Sequence, residues 1–345
     1  MNTKANHRRE PWSIDDSEFY ELESRTDEME FLLRYAVLAP SGHNTQPWTF
    51  AIVPEGIEVF ADYTRRLPHV DPGNRELMMS VGAAIMNLRV AAAHFGFEST
   101  VLYQRNARET AAVALVALRE TCDPDASLRR LFPAIVRRRT NRQPFDGEPI
   151  DMDSLSSLCD IADEHPEFMH FLLPHHKARI SELVEEADRL QMENRAVRDE
   201  LADWVRPART TAMDGISAEA FGIPAIFSSI AGDVIRRVDL GGMQARRDAA
   251  LVGTTPLLIL ITAEDDPISL LQAGQVLERL LLTVTLEHLQ YSFMNQPVQV
   301  AILRDLLAPI VRSPHPPQLL LRIGYAPPVE QPMPRRDVAE VLHED

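Results

Sequence analysis

The sequence predicts an α+β chain built from two related halves. Three observations carry that prediction. Helical apolar spacing alternates with short β-rich runs, a long apolar helix pattern occurs twice, and the second copy lies over the first without gaps. Ser80 to Phe97 superposes on Gln272 to Leu289, pairing Gly82 with Gly274 and Leu88 with Leu280 at an offset of 192 residues. The 345 residues allow two ordinary domains or one duplicated unit, and the repeat favours duplication. Such a chain carries both partners of a two-fold dimer, whose shared seam is a natural ligand site.

Taken in order, residues 1–25 form a polar lead-in, 26–122 the first half, 123–136 a linker and 137–345 the second half, with a lid insertion at about 204–230. From Asp27 to Leu38, Met29, Leu32, Leu33, Ala36 and Val37 recur at helical spacing until Pro40 stops the pattern. Trp48 to Val53 and Ile57 to Ala61 are β-rich runs flanking Pro-Glu-Gly, a turn. Arg75 to Phe97 is apolar nearly all round, which marks a helix buried between layers. Met78, Met79 and Met86 belong to its packing. Thr110 to Leu118 reads as a buried strand, matched in the second half by Gln318 to Gly324. Ala178 to Val205 reads as an exposed, highly charged helix. Pro207 to Ser229, rich in small and polar residues, reads as a loop or lid in which Phe221 and Phe227 either anchor to the core or close over a ligand.

Composition narrows the function classes. Apolar residues make up 45% and charged residues 25%, ordinary globular usage. A net charge of −16 repels phosphate backbones and anionic bilayers, so neither nucleic acid nor membrane is an expected partner. Ala249 to Thr262, the longest nearly uncharged apolar stretch, is too short to span a bilayer. The amino terminus lacks the apolar run of a secretory signal. Cys122 and Cys159 lack metal or redox spacing, so a cytoplasmic compartment is expected and no metal site. No G-x-G-x-x-G, Walker A, G-x-S-x-G or H-E-x-x-H occurs. The adjacent His175 and His176 read as surface residues.

Two segments carry chemistry. Ala39 to Trp48 (APSGHNTQPW) places small hydrogen-bonding residues between a helix and a strand. Ser41, Asn44 and Gln46 supply the donors and acceptors that the carbonyl and imide edges of a heteroaromatic ring need, while an ordinary turn explains the same residues. His43 reads as a polar loop residue rather than a proton donor. Arg137 to Phe145 (RRRTNRQPF) concentrates positive charge in an acidic chain. Forked guanidinium contacts suit a phosphate, and a solvated basic turn is the plain alternative.

Together the two segments resemble the flavin-dependent nitroreductase family, whose Arg-x-Ser/Thr-x-Arg and Pro-Ser-x-x-Asn-x-Gln-Pro-Trp motifs flank FMN. The resemblance extends to Gly274–Leu289, Met294-Asn295-Gln296-Pro297, Arg322-Ile323-Gly324-Tyr325 and Pro334-Arg335-Arg336. With Asp71-Pro72 and Arg75-Glu76-Leu77 it is most similar to the fused, two-lobed Acg-like branch. It covers nearly the whole chain outside the first 25 residues and 176–230.

The resemblance implies a nitroreductase-like fold with one non-covalent FMN per chain. Arg138, Thr140, Arg142, Asn295, Gln296, Arg335 and Arg336 would come from the second half, and Pro40, Ser41, Asn44 and Gln46 from the first. Arg138, Thr140, Arg335 and Arg336 would hold the phosphate and ribityl end and Arg142 the pyrimidine edge. The 294–297 loop would set a backbone N–H near flavin N5. A second pocket would need a basic motif near the start and an Asn/Gln loop before Pro256. Arg8-Arg9-Glu10-Pro11 and Gly253-Thr254-Thr255 stand there instead, so that pocket is expected to be lost.

The flavin then carries the chemistry, with no protein catalytic residue assigned. The expected activity takes hydride from NAD(P)H through flavin N5 to a nitroaromatic, quinone or other conjugated acceptor. The internal pseudo-dimer permits a monomer. The alternative is a lid-covered FMN-sequestering stress protein with little or no turnover, and a third reading is a fused scaffold that has lost the cofactor.

Overall fold

The protein is described from a computed structural model covering residues 10–104, 109–208, 210–221, 223–238 and 241–343. The first half opens with helix α1 (Arg25–Ala36), where Ser24 caps the helix by accepting from the Asp27 amide at 3.1 Å. Strands β1 (Trp48–Val53) and β2 (Gly56–Ala61) form an antiparallel hairpin. Helix α2 (Arg75–His94) is buried along nearly its whole length, and strands β3 (Phe97–Tyr103) and β4 (Ala114–Glu120) complete a sheet of order β1-β2-β4-β3. By length and composition α2 could cross a membrane, yet 89% of its apolar window is buried inside the fold. The all-round hydrophobicity is therefore that of a helix sandwiched between layers.

The second half repeats the plan. Helix α3 (Met152–Glu164) leads into strand β5 (Met169–Leu172). A long excursion follows: helices α4 (Lys177–Glu193) and α5 (Arg195–Trp204), the two-residue strands β6 (Val205–Arg206) and β7 (Ile216–Ser217), and helices α6 (Ala231–Arg237) and α7 (Gly241–Thr254). Strand β8 (Leu257–Thr262), helix α8 (Pro267–Leu286), strand β9 (Gln290–Phe293) and strand β10 (Pro317–Gly324) then close a sheet of order β5-β8-β10-β9. Both sheets thus follow one topology, with α2 and α8 as the matched long helices.

Those helices pack against one another at the glycines paired in sequence. A Cβ on Gly82 would lie 2.2 Å from the Leu271 carbonyl oxygen, and one on Gly274 2.1 Å from that of Met79. Glycine inside a helix costs about 1 kcal/mol relative to alanine; here it permits backbone-to-backbone approach at the pseudo-two-fold axis. Arg75 adds a polar tie between halves, donating to Gln318 Oε1 at 2.8 Å and to the Val298 carbonyl at 3.3 Å. The carboxy-terminal tail crosses back as well: Phe50 of β1 donates to the Val341 carbonyl and accepts from the His343 amide, both at 2.8 Å.

Several elements differ from the sequence expectations. The strand expected at Thr110–Leu118 occupies Ala114–Glu120. The segment expected as one exposed helix over Ala178–Val205 is two helices broken at Asn194, whose side chain caps the second. Ile180, Leu183, Val184 and Ala187 on α4 are buried in a second core with Leu251 and Val252 of α7. Charge on the solvent face masked that apolar stripe. Strand order also relocates a counterpart: β5 takes the place of β1, so the short His165–Phe168 connection, not Gly253–Thr255, stands where the first half has its Ala39–Pro47 loop. The Arg8-Arg9 stretch and the Phe221 side chain lie outside the described residues.

Candidate functional site

The loop after α1 is held in an unusual backbone. His43, Asn44 and Gln46 all have positive φ, at 49°, 56° and 53°, a region that Asn and His enter more readily than most residues and that costs roughly 1–2 kcal/mol. The Ser41 hydroxyl fixes the turn by accepting from the Gln46 amide at 2.8 Å. Pro40, Ser41, Gly42 and His43 then form one wall of a cleft of about 220 Å³. Asn295 and Gln296 from the loop after β9, Arg142, and the Met79–Ala83 stretch of α2 also face it. The excursion covers it with Met192, Val197, Leu201 and Ile216. The site therefore lies where the first-half loop, the second-half motif and the lid meet.

Arg142 is the central cation. Its guanidinium lines the cleft, burial holds its pKa below the ordinary arginine value against the pull of Tyr291 and Asp248, and among the described residues it makes no hydrogen bond or ion pair. Burial first, and then the Arg142 charge, press the His43 imidazole down to about 4, so it is neutral at pH 7. Gln296 donates to Asp248 Oδ2 at 3.0 Å, leaving its own carbonyl oxygen buried without a partner. A chain of polar contacts continues behind these groups. Gln191 donates to Gln299 at 2.8 Å, Gln299 to Glu76 at 2.7 Å, and Asn295 contacts Glu76 at 3.4 Å. Burial, followed by the nearby Asp71 charge, raises the Glu76 carboxyl.

Of the residues singled out from sequence, the cleft gathers Pro40, Ser41, Arg142, Asn295 and Gln296. The others are committed elsewhere. Arg138 pairs through Nε with Glu278 Oε1 at 3.1 Å and donates to the Tyr291 hydroxyl and, at 2.7 Å, to the Leu38 carbonyl. Thr140 bridges to Tyr291 in the backbone. Arg335 donates to Asn44 Oδ1 at 2.8 Å and lies over the Trp12 ring, and Arg336 donates its amide to Gln46 Oε1 at 2.8 Å. Asn44 and Gln46 in turn tie down the lid, donating to the carbonyls of Gly215 at 3.0 Å and Met213 at 2.8 Å. Asp214 between them pairs with Arg65 and, at 3.0 Å, with Arg206. Glu200 of α5 anchors the same lid by accepting from the His69 and Val70 amides at 2.9 and 3.0 Å.

Phe227 is exposed and does not line the cleft. His43, Glu76, Gln191 and Met192 line it without having been singled out as ligands. A buried glutamate at the start of an otherwise apolar helix was the sequence signal for Glu76. The lid residues gave none, because they look like any amphipathic surface helix.

The chain is 29% identical over 321 residues to "Putative NAD(P)H nitroreductase Rv3131" of Mycobacterium tuberculosis, covering 90% of each chain. It is 29% identical over 347 residues to "Putative NAD(P)H nitroreductase acg" of the same organism, covering 92% of this chain and 96% of the relative. The chain is similar to these two relatives over nearly its whole length. The two four-stranded sheets follow one strand order, in keeping with the duplication that the sequence repeat predicts. Among solved structures, a putative nitroreductase from Anabaena variabilis superposes with a TM-score of 0.46 and 10% identity, over 91% of this chain and 92% of that one. No protein-family model matches.

The cleft suits the ring end of an FMN on two grounds. Arg142 is a half-buried donor that lines the cleft and makes no hydrogen bond or ion pair among the described residues, and Gln296 carries a buried acceptor without a donor; a flavin edge offers the complement of each. The arginines expected at the phosphate end, Arg138 and Arg335, already have protein acceptors, so this fit concerns the ring end alone.

Proposed function

We propose that the chain is an FMN-dependent oxidoreductase that takes hydride from NAD(P)H and reduces a nitroaromatic, quinone or similar conjugated acceptor. The observation that carries this reading is Arg142, a half-buried guanidinium lining the cleft with no protein acceptor among the described residues. When bound, FMN would supply hydride acceptance and delivery at N5. The chain's own residues would position and polarise. Ser41, Asn295 and Gln296 would hold the ring edges, and Arg142 would favour electron density on the pyrimidine side. Neutral His43 would shape the wall without adding a competing charge. Met192, Val197 and Leu201 would exclude water beneath the lid.

Pairing of the two halves around one cleft supports one FMN per chain, a small-molecule acceptor and a chain that acts without a partner subunit. The free thiols Cys122 and Cys159 fit a reducing, cytoplasmic setting. Anaerobic titration of the purified yellow protein tests the reading. Bleaching by NADH or NADPH and recolouring by an acceptor are expected; an absorbance unchanged by both nicotinamides contradicts it.

A second reading, FMN sequestration with little turnover, draws support from the lid. Asn44, Gln46, Arg65 and Glu200 hold it from several sides. Slow entry of nicotinamide on mixing, with tightly retained flavin, would favour it.

A further inference from the structure

Beyond the cleft, under α6 and α7, lies a chamber of about 540 Å³ that shares Arg142, Met192, Leu201, Gln244, Phe293 and Gln296 with it. Its walls are mainly apolar, built from residues such as Ile235, Val238, Met243 and Leu251. Three guanidinium groups nevertheless face it: Arg142, Arg247 and Arg322.

Arg322 is the decisive one. Its side chain is fully buried on β10, with its guanidinium stacked over Phe145. Nη2 is used, donating to the carbonyls of Asn141 at 3.2 Å and Gln143 at 2.9 Å, whereas Nε and Nη1 are buried without any hydrogen-bond partner. Unmade hydrogen bonds on a buried guanidinium are costly unless a ligand completes them. Asp248 is the nearby acid, and Gln296 already donates to it. Three cations against one carboxylate leave an excess of positive charge in a low-dielectric space.

We propose that this chamber is an oxyanion seat. It takes the phosphate or carboxylate end of a molecule whose body is aromatic or apolar, with Arg322 binding the anion inside and Arg247 at the exposed mouth. The body then runs along the apolar wall toward the cleft. This inference stands on the chamber's own atoms and does not require the flavin reading. Two sources share the chemistry: the phosphate end of the molecule in the cleft, or a carboxylate on a separate acceptor.

Calorimetric titration of the full chain with two matched pairs of probes, FMN against riboflavin and 4-nitrobenzoate against 4-nitrobenzamide, tests the seat. At least one anionic member should bind about tenfold more tightly than its neutral counterpart. R247Q, at an exposed position, should reduce that preference severalfold, and R322Q should abolish it, with circular dichroism melts confirming that the variants fold. A preference confined to the FMN pair assigns the seat to the cofactor's phosphate; one confined to the nitrobenzoate pair assigns it to a second ligand. Equal binding within both pairs, or preferences that R247Q leaves unchanged, would overturn the proposal. Failure of FMN to bind at all would sink the proposed oxidoreductase function but leave the nitrobenzoate arm decisive for the seat.

Discussion

Arg138 Nε lies 3.1 Å from Glu278 Oε1, with side-chain exposures of 2% and 0%. The pair joins the basic motif to the second long helix in the interior between the halves. Removing one partner from a buried pair leaves an uncompensated charge, at a cost of about 3–5 kcal/mol. R138M should therefore lower stability by that order in urea unfolding, and the double variant R138M/E278L should recover most of the loss. Additive losses in the double variant would show that the two residues do not act as a pair.

The contact between Gly82 and Gly274 makes the two long helices inseparable. A methyl group at either position meets a carbonyl oxygen on the opposite helix at 2.1–2.2 Å. G82A should destabilise by on the order of 1–3 kcal/mol through overpacking, despite alanine's better helix propensity. An unchanged or raised Tm would mean the helices can separate without loss.

Asp188 predicts a pH dependence. Its carboxyl is pushed up to about 8, first by burial and then by the Asp248 charge, from a usual value near 3.8. A carboxyl with a raised folded pKa keeps its full stabilising share only below the unfolded value. Stability then falls as pH rises from about 4 toward 8, because the unfolded chain ionises and the folded one resists. D188N, which keeps an acceptor for Gln244, should raise stability at pH 8 by about 1 kcal/mol or more and flatten the profile between pH 5 and 8. Parallel profiles for D188N and the parent protein would refute the assignment.

Asp214 fastens the lid through Arg65 and Arg206. D214N should speed proteolytic nicking within 207–229 and quicken entry of small molecules into the cleft, while the far-UV spectrum stays the same. Unaltered nicking would show that Asn44 and Gln46 suffice to hold the lid.

The repeat, the buried helices and the β1–β2 hairpin were legible because each rests on local periodicity. The paired glycines were legible too, since helix crossing leaves a mark in both copies. The Ala39–Trp48 loop and Arg142 announced themselves by unusual local composition. What remained hidden depends on distant contacts. Nothing beside Arg138 in sequence signals that Glu278, on a helix far along the chain, takes its charge. Nor could Asn44 and Gln46 be seen to clasp carbonyls at 213 and 215, since a side chain with donors and acceptors serves a lid as readily as a ligand. The apolar stripe of α4 was obscured by the charges around it, and Arg322 read only as part of a strand.

The central claim is that the cleft around Arg142 holds FMN. The most direct measurement is the FMN affinity of the parent protein and of R142A by equilibrium dialysis, with matching circular dichroism spectra. The parent should bind FMN, and R142A should lose affinity by about tenfold or more. No FMN binding by the parent, or equal binding by R142A, would contradict the account.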